Sequence, residues 1–245
     1  TEGGQDVFAL ALWRLDRLRT RRGDEPEAWD NLDLVIEYGR ARALERLRRY
    51  SEAGEAYRLV ADRGSRLGEP ARIGALVMQE FARHSGPPAD PAETVEERLE
   101  LIESRIRVWE RLAHEHRSTL FEPLAREEVE AWDMMRIDWL ARHRSTEEAV
   151  GACRRAVERH HASKLHATHL IRLGNLYAEA AHGIYARARA RLARFDAEKY
   201  EDFLDHALSA YEAAGERAGG SVRAEADGKI EALLARHEGV RAHVP

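Results

Sequence analysis

Apolar residues recur along most of the chain at the three- and four-residue spacing of amphipathic helices. The first such segment carries Phe8, Leu12, Leu15 and Leu18. Strict alternation of apolar and polar residues, which a half-buried strand needs, is not sustained over any convincing length. The pattern therefore predicts an all-α protein of about ten helices.

Capping residues and helix breakers divide this pattern into segments. The first helix is predicted over residues 5–20, the eighth could reach Arg194, and the tenth ends near His237. The segment 85–89, which contains Gly86, Pro87 and Pro88, is the clearest loop. The predicted caps or first residues of helices two and four to nine are, in order, Asp24, Pro70, Asp90, Thr119, Ser145, Ser163 and Asp196, while turns at 50–51 and 219–221 precede the third and tenth helices.

Small and aromatic residues return at corresponding positions in successive helix pairs. Ala75 follows Ala41 by one repeat length of 34 residues. The first set is Ala41, Leu44, Tyr50, Ala53, Tyr57 and Val60. Later sets are Ile137, Leu140, Thr146, Ala149, Cys153 and Ala156, then Leu173, Gly174, Tyr177, Ala207, Leu208, Tyr211 and Ala214. Small residues let the two helices of a hairpin approach closely, and the aromatic residue fills the gap to the next hairpin.

This pattern resembles the tetratricopeptide repeat (TPR) over residues 32–219. The resemblance implies a TPR-like α-solenoid of antiparallel hairpins. The hairpins are irregular and extended, because Tyr177 and Ala207 are 30 residues apart where the repeat allows about 9. We expect one domain, with a capping helix in residues 1–23, four hairpins in 24–219 and a second capping helix in 220–245.

The resemblance also implies a function, because TPR proteins bind peptides or partner proteins in a concave groove lined by the first helix of each hairpin. We therefore expect a non-catalytic interaction scaffold without a cofactor. An extended charged peptide or a partner helix would suit the mixed charges of the groove. The corresponding positions here are Tyr38, Arg42, Glu45, Arg72, Gln79, Met134, Asp138, Arg142, Asn175 and Glu179.

Composition narrows the function classes and bears on the compartment. The formal net charge of −5 argues against a dedicated nucleic-acid binder, and the hydropathy pattern contains no membrane span. One cysteine, Cys153, excludes an intrachain disulfide and fits the cytoplasm. The absence of an initial Met leaves an exported protein or a fragment of a longer chain open. The 39 basic residues include only three lysines, a bias typical of a GC-rich, bacterial genome.

Two further interpretations stay open. The first is a helical-bundle metalloenzyme, because Glu158-x-x-His161 and Glu179-x-x-His182 have the ligand spacing of di-iron bundles. The second is a regulatory or oligomerisation module that associates through its end hairpins.

Two surface features also have two interpretations. The basic ridge Arg187, Arg189, Arg191 and Arg194 is either a solvated helix face or a site for an acidic partner. The aromatic and methionine residues near Trp132 form either core packing or a docking surface, and they include Met134, Met135 and Trp139.

Overall fold

The computed structural model describes residues 2–22, 30–63, 65–86, 94–190 and 193–241, and over these ranges the chain forms ten α-helices and no strand. This confirms the predicted all-α class. The helices are α1 (Glu2–Arg22), α2 (Asn31–Arg46), α3 (Tyr50–Ala61), α4 (Gly68–His84), α5 (Val95–Glu115), α6 (Glu122–His143), α7 (Thr146–Arg159), α8 (His166–Arg189), α9 (Ala197–Arg217) and α10 (Gly220–Arg241). None of the helices in these ranges is long and apolar enough to cross a membrane.

Two predicted N-caps are confirmed by their hydrogen bonds. The Ser145 hydroxyl accepts a hydrogen bond from the backbone N–H of Glu148 at 3.1 Å. The Asp196 carboxylate accepts one from the N–H of Lys199 at 3.1 Å. Each cap pairs one of the N–H groups that a helix leaves unsatisfied in its first turn, so these helices begin where local chemistry places them.

Other predicted helix starts are shifted. Helix α2 begins at Asn31, and Asp30 and Asp33 form its capping box; the predicted cap Asp24 lies outside the described residues. The predicted cap of α5, Asp90, also lies outside them, and the Thr94 hydroxyl accepts from the N–H of Glu97 instead. At the start of α6, the Glu122 carboxylate accepts from the N–H of Ser118 at 2.7 Å, so the predicted capping box with Thr119 is wrong.

The chain divides into two compact units. Unit 1 comprises Thr1–Pro91 and Val108–Arg126, and unit 2 comprises Ala92–Arg107 and Glu127–Pro245. In unit 1, α1 packs on α2, α2 on α3 and α3 on α4. The centre of unit 1 is aromatic, because the Phe81 ring lies edge-on to Tyr50 (5.4 Å between centroids) and to Trp109 (5.0 Å). Such edge-to-face pairs stabilise a core beyond the area that they bury.

In unit 2, α7 packs on α8, α8 on α9 and α9 on α10, and α8 also contacts α10. Close approach of α8 to α9 depends on Gly174, because a β-carbon there would lie 2.5 Å from Cε1 of Tyr211. A similar contact occurs in unit 1, where a β-carbon at Gly74 would lie 3.0 Å from the Tyr57 ring. In both units, therefore, a glycine leaves space for an aromatic ring of the neighbouring helix.

Most positions of the repeating pattern of small and aromatic residues lie in the interiors of these units, whereas Leu18 of the first predicted helix is 45% exposed. Ala41, Tyr57, Cys153, Tyr177 and Tyr211 are each no more than 5% exposed. The eighth helix is shorter than predicted. It begins at His166 and not near Ser163, and it ends at Arg189 and not at Arg194. Helices α8 and α9 are 24 and 21 residues long, and their assignment to an extended hairpin stays a prediction. The solenoid arrangement of the helices stays a prediction.

Candidate functional site

The predicted groove residue Glu45 lies in the interior of unit 1. Its side chain is 1% exposed and accepts a hydrogen bond from the Tyr57 hydroxyl at 2.7 Å. A nitrogen of the Arg42 guanidinium lies 2.5 Å from its other oxygen. Burial raises the pKa of Glu45, and these two neighbours oppose that rise. The prediction that Glu45 lines an open groove is therefore wrong, because α3 packs over this face of α2 and pairs the carboxylate.

Tyr57 of α3 contacts both α2 and α4, the two helices that carry the predicted groove residues of unit 1. Its ring lies 5.3 Å from the Tyr38 ring of α2, and a β-carbon at Gly74 of α4 would lie 3.0 Å from the same ring. Tyr38 and Arg42 are partly exposed, and Arg72 and Gln79 are exposed.

Exposed apolar residues lie beside these groove positions. Val35 is one turn before Tyr38 on α2 and is 55% exposed. On α4, Ile73 and Leu76 are 49% and 64% exposed, on either side of Gly74 in the sequence. We call Val35, Ile73 and Leu76 the apolar stripe. Ile73 and Leu76 lie one turn apart on α4, and neighbouring exposed apolar side chains are a typical mark of an interaction surface.

The predicted groove residues of unit 2 mostly have partners within the chain. The Asp138 carboxylate accepts from Arg172 of α8 at 2.5 Å, and the Arg142 side chain donates to the Asp138 carbonyl. Asn175, one turn after Arg172, accepts from the Tyr211 hydroxyl at 2.9 Å. Two other predicted residues complete the set: Met134 is partly buried and Glu179 is exposed. Asp138 and Asn175 therefore link helices of unit 2.

A buried cluster of histidines and carboxylates in unit 2 was missed by sequence reasoning. His169 is 3% exposed, and its Nε2 lies 2.5 Å from the carboxylate of Glu130, which is 6% exposed. One turn along α6, the Asp133 carboxylate lies 2.9 Å from Nε2 of His160 and 3.1 Å from Arg159. These pairs join α6 to residues at the end of α7 and at the start of α8.

The electrostatics of this cluster favour the ionised form of Glu130. Burial raises the pKa of Glu130, but hydrogen bonds from His169 and Ser163 and the nearby histidines outweigh it, so the pKa is lowered. His166 in the first turn of α8 is also buried, and burial lowers its pKa. A local sequence signal was present in Glu130-x-x-Asp133, two acids one turn apart among apolar neighbours.

The residues of the metal alternative do not form a site. Glu158 and His161 are exposed, and α7 ends between them at Arg159, so they do not share a helix face as their spacing suggested. His161 instead lies 3.1 Å from the Glu158 carbonyl through its ring nitrogen. Glu179 and His182 on α8 are exposed as well. Over the described ranges, no group of three or more His, Cys, Asp or Glu could hold a metal ion.

The remaining candidates fall on different parts of the structure. Arg187, Arg189 and Arg194 of the basic ridge are exposed, and Arg191 lies outside the described residues. In the aromatic and methionine group, Trp132 is 5% exposed while Met135 is 43% exposed. Core packing thus accounts for Trp132, and Met135 remains at the surface.

An open groove lies between α9 and α10. Its volume is about 280 Å³. The groove has a leucine floor and a charged rim that includes Glu201 and Asp205 of α9. We call it the α9–α10 groove, and it is lined by Glu201, Leu204, Asp205, Leu208, Leu233, Leu234, His237 and Arg241.

No protein-family model, curated protein or solved structure matches this chain significantly.

Proposed function

We propose that this chain is a non-catalytic scaffold of TPR-like helices that binds a partner protein or peptide, with the apolar stripe of unit 1 as the contact surface. The observation that carries the proposal is the exposure of Val35, Ile73 and Leu76 on α2 and α4. Ile73 and Leu76 lie one turn apart on α4, and Val35 lies one turn from the predicted groove residue Tyr38 on α2.

The chemistry of the stripe favours a particular kind of partner. Apolar side chains spaced at one turn, as on an amphipathic helix, would cover Ile73 and Leu76. Arg42 and Arg72 beside the stripe favour acidic side chains at the flanks of that helix. Arg72 already pairs with the exposed Glu69. Because an exposed ion pair contributes little stability, a partner carboxylate can replace Glu69 at little cost.

Affinity capture with two matched variants tests this proposal. Leu76→Glu places a charge in the stripe, and Leu120→Glu places the same charge at a 68% exposed leucine of unit 1 outside it. A partner captured by the wild type would then be purified and titrated against each variant. We expect Leu76→Glu to weaken binding by roughly tenfold or more and Leu120→Glu to leave it nearly unchanged.

Three results would contradict the proposal: equal binding to both variants, equal loss of binding, or no partner captured by the wild type. Thermal melting of the two variants checks that neither substitution has unfolded unit 1. Both positions are solvent-exposed, so each variant should melt close to the wild type.

A further inference from the structure

The first helix presents an apolar face to solvent. Val7, Leu10 and Trp13 are 63%, 46% and 53% exposed, and Leu18 is 45% exposed. Successive residues of a helix are about 100° apart, which places these four on one side of α1. The opposite side packs on α2, where Leu15 contacts Gly39 and Asp16 pairs with Arg40 at 2.6 Å.

The same side of α1 is basic. By helical geometry Arg14, Arg17 and Arg21 fall between the apolar residues, and all three are exposed. The Arg17 guanidinium lies over the Trp13 ring, 4.8 Å from its centroid. Asp16, by contrast, is turned towards α2 by its pairing with Arg40. We call Val7, Leu10, Trp13, Leu18 and these three arginines the α1 face.

The α9–α10 groove complements the α1 face, because it combines apolar residues with acidic ones. Its floor is leucine-rich, and Leu234 at its edge is 46% exposed. Helix α9 carries six acidic residues against two basic ones, while α1 carries five arginines against three acidic residues. Glu201 and Asp205 stand at the rim, and Arg241 lies 3.8 Å from Glu201. Since a cavity of about 150 Å³ holds benzene, the groove volume suits an indole ring and a leucine side chain together.

We propose that the α1 face of one copy of this chain docks into the α9–α10 groove of a second copy. Leu10 and Trp13 would cover the leucine floor, and Arg14 and Arg17 would face Glu201 and Asp205. Because the two surfaces differ, the contact is heterologous, and such contacts continue into rings or open chains of subunits. The chain itself supplies both halves of the contact, with opposite charge, and this selects a second copy over an unrelated partner.

Complementation between two surface variants tests the proposal. Leu10→Asp disables the α1 face, and Leu234→Arg disables the groove; both leucines are exposed, so the fold should persist. Light scattering coupled to size exclusion should show a wild-type mass that rises above 27.9 kDa with concentration. Each variant alone should stay monomeric. Mixed together they should form a species of twice the monomer mass that grows no further, because each retains one intact surface.

Every other outcome overturns the proposal. A wild type that stays monomeric excludes the contact, and self-association by both variants places it elsewhere on the chain. If Leu10→Asp is monomeric while Leu234→Arg still dimerises, α1 pairs with α1 and the groove takes no part. Added salt should weaken the wild-type association, since arginines and carboxylates face each other across the contact. Leu120→Arg, at a 68% exposed leucine outside both surfaces, is the control and should behave as the wild type.

Discussion

Packing of Tyr211 over Gly174 makes one substitution a sharp test of how unit 2 is held together. In Gly174→Ala the new β-carbon would lie 2.5 Å from Cε1, 2.7 Å from Cδ1 and 2.9 Å from Cζ of the Tyr211 ring. The ring is 2% exposed, and its hydroxyl donates to Asn175, so it is fixed by packing and by a hydrogen bond. It cannot move aside without opening the contact between α8 and α9.

Two opposing effects set the magnitude of this change. Alanine is favoured over glycine inside a helix by about 1 kcal/mol. Overpacking a close contact costs about 1–3 kcal/mol, and loss of the Tyr211 hydrogen bond costs about 1 kcal/mol more. Gly174→Ala should therefore lower the free energy of unfolding by about 1–3 kcal/mol in spite of its helix propensity.

Gly183 on the same helix provides the matched control. A β-carbon there would have the Arg187 guanidinium at 3.5 Å as its nearest neighbour, and a flexible side chain can withdraw. Gly183→Ala should therefore raise the free energy of unfolding by up to about 1 kcal/mol. Urea denaturation followed by circular dichroism measures both variants, with equal denaturant slopes as the condition for comparing them.

A double-variant cycle isolates the ring from other effects of the substitution. With Tyr211→Leu already present, the Gly174→Ala step should become neutral or stabilising, because the atoms in conflict have been removed. If Gly174→Ala is as stable as the wild type, or if Tyr211→Leu leaves its cost unchanged, the steric reasoning is refuted.

Two further predictions concern buried titratable groups of unit 2. The pKa of Glu130 is lowered below its ordinary value of 4.5, so the stability that its ionised form contributes is present above that pH and is lost as the pH falls through the lowered pKa. Denaturation at a series of acidic pH values should thus show a shallower loss of stability for Glu130→Gln than for the wild type. Burial raises the pKa of Cys153 to about 12, so a thiol reagent should leave it unmodified in the native protein at neutral pH and modify it after unfolding; rapid native labelling would contradict its burial.

Local chemistry explains which parts of the fold could be predicted from the sequence. Ser145 and Asp196 cap helices because a side-chain oxygen reaches an N–H three residues away, which needs no tertiary contact. Ala53, Tyr57 and Cys153 were correctly assigned to the interior from their places in the repeating pattern of small and aromatic residues. These assignments depend only on neighbours along the chain.

The histidine–carboxylate cluster could not be found in this way, because its members come from different helices. Glu130 and His169 are 39 residues apart, and the local signal Glu130-x-x-Asp133 does not identify the histidines that pair with these acids. The spacing of Glu158 and His161 did match a motif, but α7 ends between them. The Glu-x-x-His spacing places both side chains on one helix face only if the helix continues through both residues. Where α7 ends depends on how the chain turns between α7 and α8.

The groove positions implied by the TPR resemblance misplaced Glu45, because helix α2 is packed on two sides. Helix α2 is contacted by α1 and by α3, so its acidic residues Glu37 and Glu45 are buried. A buried carboxylate is costly unless it is paired, and Arg40 and Tyr57 supply the pairing at 2.6 Å and 2.7 Å. Val35 on the same helix is 55% exposed. On α2, then, the paired acids Glu37 and Glu45 lie at contacts with neighbouring helices, while the exposed Val35 remains available to another molecule.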